Sequence, residues 1–193
     1  LARALGQSLR ADVDLLNATD YYTSNLFGLW VSADLLQPGN YAPYLVQGGL
    51  GMPDRDFYLE GGRMAELRTQ YLAYIARLFE LAGSTEAATR AQRVLALETA
   101  LARVHASQLD TNDVRKGANA WAMADFARRA PGLDWATFFA GPGLQHQQRF
   151  NVWQPRAVSG IAALVAAQPL RAWQDWLTFH ALDDAAPYLP KAW

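Results

Sequence analysis

Hydrophobic positions recur along the chain at two different periods. Leu1, Leu5, Leu9, Val13 and Leu16 return every three or four residues, the spacing of one face of an amphipathic helix. The period then changes. Residues 26–31 and 41–46 are dense in aromatic and β-branched side chains, and Pro38-Gly39-Asn40 between them is a turn-forming cluster, so the two runs are expected to pair as a β-hairpin. Pro43, which has no N–H to give to a ladder, places the second strand at an edge.

Helical spacing resumes at Leu67. Leu67, Tyr71, Leu72, Ile75, Leu78, Phe79 and Ala82 form a stripe that stops at Gly83, and Ser84 is placed to cap a following helix with Glu86 in its first turn. In that helix Ala87, Ala91, Val94, Leu95, Glu98, Leu101, Val104 and His105 share one side, and the two helices are expected to form a helical hairpin. The polar stretch 110–119 reads as a loop. A short helix over 122–130 stopped by Pro131, a helical turn over 135–140 behind Asp134 and an extended piece at 149–153 follow. Two apolar helices close the chain, one through Val158, Ile161, Leu164 and Val165, the other through Leu170, Trp173, Trp176, Leu177, His180 and Ala181. The pattern predicts a mainly α fold, a helical lobe of antiparallel and crossed helices with one small β-hairpin near the N-terminal part. It is expected as a single fragment over 1–193, with helix, hairpin and loop in 1–60 and the helical lobe in 61–193.

Composition narrows the function classes. At 193 residues the chain can bury roughly 70% of its unfolded surface, enough for a real core. Seventeen Lys and Arg against eighteen Asp and Glu leave no field to attract nucleic acid. The apolar runs fall short of the ~18 residues that a membrane span needs. Without cysteine there is no disulfide, thiolate nucleophile or Cys-ligated metal. The start at Leu1 and the stop among apolar residues at Trp193 are what ends set by processing, or by a cut through a longer protein, would look like. Trp176, Phe179, Tyr188, Leu189 and Trp193 near that end are expected to form an exposed aromatic patch or to hide it by self-association.

Catalytic patterns are absent from the sequence. His105, His146 and His180 are the only histidines, with no His-Glu-x-x-His run, and no serine lies in a Gly-x-Ser-x-Gly elbow. His180 with Asp183, and Glu98 with His105, are helical spacings that ordinary surface or core residues also produce. No catalytic and no metal-binding residue is assigned.

The most informative passage is Gln47-Gly48-Gly49-Leu50-Gly51-Met52-Pro53-Asp54-Arg55-Asp56-Phe57-Tyr58-Leu59. Its glycines lack phosphate-loop order, and Arg55 between two carboxylates is expected to tie the loop down through an ion network with Asp54 and Asp56. The passage resembles the Gln-x-Gly-Leu-Gly-Leu-Pro-Asp-Arg-Asp-Tyr-Tyr segment of the neprilysin and endothelin-converting-enzyme family of zinc metallopeptidases, bacterial members above all. The resemblance implies a structural role for the matched motif positions Gln47, Gly49, Leu50, Gly51, Pro53, Asp54, Arg55, Asp56 and Tyr58. Phe27-Gly28-x-Trp30-Val31 with Asp34, Leu97-Glu98-Thr99-Ala100-Leu101-Ala102, Leu133-Asp134-Trp135 and Pro169-Leu170-x-x-Trp173 fall in the family's order. Departures occur at Asp113-Val114 and Ala118-Asn119, where the family often has Asp-Pro and Tyr-Asn.

The resemblance implies a parent zinc metalloendopeptidase that cleaves small peptides. Its zinc would be held by a His-Glu-x-x-His helix and a later glutamate, all C-terminal to Trp193, so this chain itself would hold no cofactor. The segment would be the helical lobe facing the catalytic lobe across the substrate cavity, with the hairpin and the Pro-Asp-Arg-Asp loop near the lobe junction. Asn112, Asp113, Arg115 and Asn119 are candidate cavity-facing residues. The implied partners are the catalytic lobe of the same protein and a peptide substrate, with no nucleic acid and no membrane span in this segment. The implied location is periplasmic or secreted. The alternative is a self-standing helical module that binds a peptide or protein without catalysis.

Overall fold

The computed structural model describes residues 1–16 and 23–190, with side chains for 1–9 and 23–190. The side chains of Val13 and Leu16, and the tail residue Trp193, lie outside what is described. In chain order the elements are α1 (Ala2–Leu16), β1 (Phe27–Ala33), β2 (Tyr41–Gln47), α2 (Asp56–Leu59), α3 (Arg63–Leu81), α4 (Ala87–Val104), α5 (Gln108–Asn112), β3 (Ala120–Ala122), α6 (Met123–Arg129), α7 (Trp135–Ala140), β4 (Arg149–Val152), α8 (Pro155–Ala167) and α9 (Leu170–Ala185). Short 3-10 turns occupy Val114–Lys116 and Ala186–Tyr188. The fold is mainly α. Backbone contacts divide it into two units, each built from two stretches of sequence: Leu1–Leu50 with Val104–Ala167, and Gly51–Arg103 with Gln168–Trp193. Residues 61–193, expected as one helical lobe, contribute to both.

The first unit holds the sheet. β1 and β2 form the expected antiparallel hairpin, in register from Phe27 opposite Gln47 to Ala33 opposite Tyr41. The hairpin is half of a four-stranded mixed sheet of order β1-β2-β4-β3, in which β4 runs parallel to β2 and antiparallel to β3. β2 is therefore an inner strand, which corrects the edge placement drawn from Pro43. The proline is tolerated because the pairing with β4 covers Tyr44 and Leu45 and leaves Pro43 just beyond it. Residues 110–119 are not simply a loop. Ser107 Oγ accepts the Asp110 N–H at 3.1 Å and starts α5, and Asp113 Oδ1 accepts the Arg115 N–H at 3.2 Å and starts the 3-10 turn.

Aromatic rings fill this unit. Phe126 lies within 4.7–5.5 Å of the ring centroids of Trp121, Trp135, Phe139 and Phe150. Phe27 and Phe138 extend the cluster from β1 and α7. A second group forms where Trp30 stacks on Tyr44 at 4.8 Å and both meet Trp153.

The second unit is helical. α3 ends as its stripe predicts: Gly83, at φ +78°, donates its N–H to Glu80 O, and the Ser84 N–H reaches Phe79 O. This six-to-one closure needs a left-handed residue that glycine adopts without strain. Ile75, Leu78 and Phe79 of α3, Ala91, Val94, Leu97 and Leu101 of α4, and Trp173, Trp176 and Phe179 of α9 are buried. The aromatic patch expected at this end is thus not a surface feature of α9. Its aromatic face is the core face, because Trp173, Trp176 and Phe179 follow the i, i+3, i+6 spacing of one side of a helix. Among the described residues of that expected patch, Tyr188 is the strongly exposed aromatic.

Candidate functional site

The motif run divides between the units, and its side chains bind backbone more than they bind each other. Gln47, at the end of β2, acts as a two-pronged clamp: its Oε1 accepts the Ala106 N–H at 2.8 Å and its Nε2 donates to Ala106 O at 3.1 Å. A primary amide suits this, since it presents one donor and one acceptor as a peptide group does. His105 beside it has Nε2 at 2.9 Å from Gly48 O. Leu50 is buried and Gly49 stands at φ +90°.

From Gly51 onward the run belongs to the second unit. Asp54 Oδ1 accepts the Asp56 N–H at 2.8 Å, an Asx turn that opens α2, while Pro53 is exposed. Arg55 does not pair with Asp54 or Asp56. Its Nε donates to Ala102 O at 3.3 Å, in the last turn of α4. The carbonyls there have no helical partners and carry the negative end of the helix dipole, so they draw the guanidinium in place of the two carboxylates. Arg68 closes the other end of α2, donating to Phe57 O and Glu60 O at 2.8 and 2.7 Å.

Tyr58 leads to the centre of this unit. Its hydroxyl accepts the Met52 N–H at 2.9 Å and donates to Glu98 Oε2 at 2.7 Å. Tyr71 of α3 donates to the same oxygen at 2.9 Å, and His180 Nε2 of α9 lies 2.9 Å from Glu98 Oε1. Glu98 is fully buried, and one carboxylate thereby ties α2, α3, α4 and α9 together. His180 Nδ1 is buried with no partner among the described residues, which leaves Nε2 as the nitrogen placed to donate. Burial, followed by the charge of Glu98, pushes the hydroxyls of Tyr58 and Tyr71 well above the ordinary tyrosine range. Gly51 makes room for this network: a Cβ there would stand 1.9 Å from the Tyr71 hydroxyl. A second buried carboxylate, Asp175 of α9, takes Arg90 and Arg93 of α4 at 2.7 and 2.6 Å.

The candidate cavity residues are not gathered into one constellation. Asp113 and Arg115 form a two-bonded pair at 2.8 and 3.0 Å, with the arginine side chain 90% exposed. That pairing holds the Asp113 carboxyl below the ordinary carboxylate range. Asn119 Nδ2 binds Val152 O at 3.1 Å and also Lys116 O, fastening the loop to the end of β4. Asn112 is exposed and accepts from Gln108.

The described residues offer no set that fits a zinc ion. His105 is engaged with Gly48 O, His180 with Glu98, and His146 is exposed. Among the described residues no three of His, Asp and Glu are grouped so as to hold a metal. Among the same residues no helix is long and apolar enough to cross a membrane.

Comparison with known proteins gives a consistent picture. A model of the N-terminal region of peptidase family M13 matches residues 6–193. Endothelin-converting enzyme 1 of Homo sapiens is 34% identical over 121 residues, and that of Bos taurus 32% over the same length, which is 61% of this chain and 16% of either relative. The zinc metalloprotease Zmp1 of Mycobacterium tuberculosis, in complex with an inhibitor, superposes on all of this chain with a TM-score of 0.87 and 28% identity. PepO from Lactobacillus rhamnosis shares the fold at a TM-score of 0.70 and 16% identity. The chain spans 16% of the length of those curated relatives and 28% of the Zmp1 chain.

Proposed function

This chain belongs to peptidase family M13, in its N-terminal region, and on that premise we propose that it walls the substrate cavity of a zinc metalloendopeptidase and limits which peptides reach the metal. The zinc ligands and the catalytic base would come from residues of the parent protein outside positions 1–193. The observation that carries this reading is the likeness along the entire chain to a zinc metalloprotease of which it covers only 28%. A wall acts on specificity, because it admits short flexible peptides and rejects folded chains by size. Gln47, Gly49, Leu50, Gly51, Pro53, Asp54, Arg55, Asp56 and Tyr58 would serve it indirectly, by fixing the backbone around residues 47–59, and Asn112, Asp113, Arg115 and Asn119 would lie along the cavity. Its partners would be the catalytic lobe of the same protein and a small peptide. The parent would be an exported bacterial enzyme, periplasmic or secreted, a setting compatible with a chain free of cysteine.

The test uses the full-length parent, offered a peptide series of increasing length and a folded protein. Zinc-dependent cleavage of the short peptides with the folded protein spared is expected, and residues 1–193 alone should cleave nothing. A parent that neither binds zinc nor cuts peptides would remove the reading in favour of a binding module.

A further inference from the structure

Residues 106–119 of the first unit are pinned at their start, middle and end. The Gln47 side chain clamps Ala106 through both its amide groups. The Trp153 Nε1–H donates to Thr111 O at 2.8 Å, and the same indole lies against Gly117, where a Cβ would stand 2.3 Å from Trp153 Cε3. At the far end Asn119 O accepts the Val152 N–H at 2.8 Å, while Asn119 Nδ2 donates to Val152 O at 3.1 Å. Between the pins the side chains turn outward: Leu109 is 83% exposed, and Asn112, Val114 and Arg115 are exposed as well. A segment held in one arrangement before a ligand arrives loses less entropy when it binds.

Gln154, just ahead of α8, joins these pins to the end of β2. It is buried, its Oε1 accepts the Gln47 N–H at 3.0 Å, and its Nε2 donates to Thr111 Oγ1 at 3.3 Å. A primary amide offers an acceptor and a donor from one group, which an aliphatic side chain of that size does not. Thr111 is buried too, so its hydroxyl points inward while its neighbour Asn112 points out. Gln47 therefore reaches the start of the segment through its own side chain and the middle through Gln154.

We infer that Gln154 is a positioning residue for peptide selection, holding residues 106–119 in the arrangement that presents Asn112 and Arg115 to the substrate. The inference rests on the function proposed above, which lays this segment along the cavity. Gln154 touches no peptide itself. It acts through Thr111, and a small displacement of the residues that contact a substrate is enough to weaken their hold on it. A wall remote from the zinc grips the peptide equally before and during bond cleavage, so loosening it raises KM and spares kcat.

The experiment compares the full-length parent with its Gln154→Leu variant on a short blocked peptide and on a longer peptide able to reach the wall. KM for the longer peptide should rise several-fold at unchanged kcat, the short peptide should be cleaved as before, and amide exchange of residues 107–119 should quicken. Thr111→Val removes the same bond from its other side and should reproduce all three results, also where Gln154→Leu fails to fold. Thr111→Ser keeps the hydroxyl and should behave as the unsubstituted parent. Unchanged exchange in that segment, quickened exchange with KM unmoved, or a fall in kcat on both peptides would each overturn the inference while leaving the proposed function standing. An unsubstituted parent that binds no zinc and cleaves neither peptide refutes the proposed function, and the inference with it.

Discussion

At the centre of the first unit Phe126 meets the rings of Trp121, Trp135, Phe139 and Phe150; at the centre of the second, Glu98 meets Tyr58, Tyr71 and His180. The two centres join distant stretches of chain equally well, but they fail differently. A ring cluster depends on filled volume, so another apolar side chain of similar size can restore most of it. A buried carboxylate depends on satisfied partners, and a shape-matched apolar residue leaves every donor around it stranded.

Truncation at the two centres should therefore cost the same and be rescued differently. Phe126→Ala and Glu98→Ala are each expected to destabilise by about 3–5 kcal/mol in denaturant unfolding. Phe126→Leu should recover much of that loss. Glu98→Leu should recover little, because two tyrosine hydroxyls and His180 stay buried without their acceptor, unless Tyr58→Phe and Tyr71→Phe are added. A Glu98→Leu protein as stable as the unsubstituted one would break the contrast.

Gly51→Ala sharpens it. The added Cβ, 1.9 Å from the Tyr71 hydroxyl, must push that group off Glu98, at a cost of about 1–3 kcal/mol. Removing the hydroxyl as well, with Tyr71→Phe, should make the alanine nearly silent. Equal costs in both backgrounds would show that the glycine serves backbone conformation instead.

The units should also part company in pH. In the first, the Leu36 N–H, with Asn151 and Arg149, holds the Asp34 carboxyl below its ordinary value against the opposing effect of burial. A lowered folded value means that the contribution is present above the unfolded pKa of about 3.9 and drains away as pH falls through the folded one. In the second, Tyr58 and Tyr71 are raised, so their contribution is present below the unfolded pKa of about 10 and is lost at higher pH. Amide exchange of residues 33–41 should rise first in acid, and that of residues 51–59 first in alkali. Asp34→Asn should abolish the first effect at a cost of about 1–3 kcal/mol at neutral pH.

Periodicity made most of the helices legible. α3, α4, α7, α8 and α9 lie where apolar spacing and the Gly83 stop put them, because each buries one stripe and local signals mark its ends. The hairpin was legible too, since its turn is local. The extended piece at 149–153 was legible as β4 as well, but β3 and the pairing were not: β3 has three residues, and its link through β4 to β2 joins positions about a hundred residues apart, which no short-range pattern encodes. The same limit hid the centre of the second unit. Spacing offered Glu98 with His105 and His180 with Asp183 as pairs on one helix. The fold instead joins Glu98 to His180 across 82 residues and sends His105 to a glycine carbonyl. The Gln47 clamp on Ala106 is of this kind as well: the sequence shows the glutamine, and only the fold shows which peptide it grips.

Arg55 is expected to give the smallest effect and the cleanest correction. Set between Asp54 and Asp56, it reads as the core of an ion network whose loss would cost about 3–5 kcal/mol. Its one described bond is a 3.3 Å contact to Ala102 O, and Asp54 is occupied with the Asp56 N–H. Arg55→Ala should then cost only about 1–1.5 kcal/mol, because the buried Ala102 carbonyl loses one long hydrogen bond while no carboxylate is left stranded. Arg55→Lys should fall in the same range, since a single carbonyl needs no forked guanidinium. A loss above 3 kcal/mol for alanine, not shared by lysine, would mean that Arg55 grips a carboxylate after all and that the second unit holds a third buried charge beside Glu98 and Asp175.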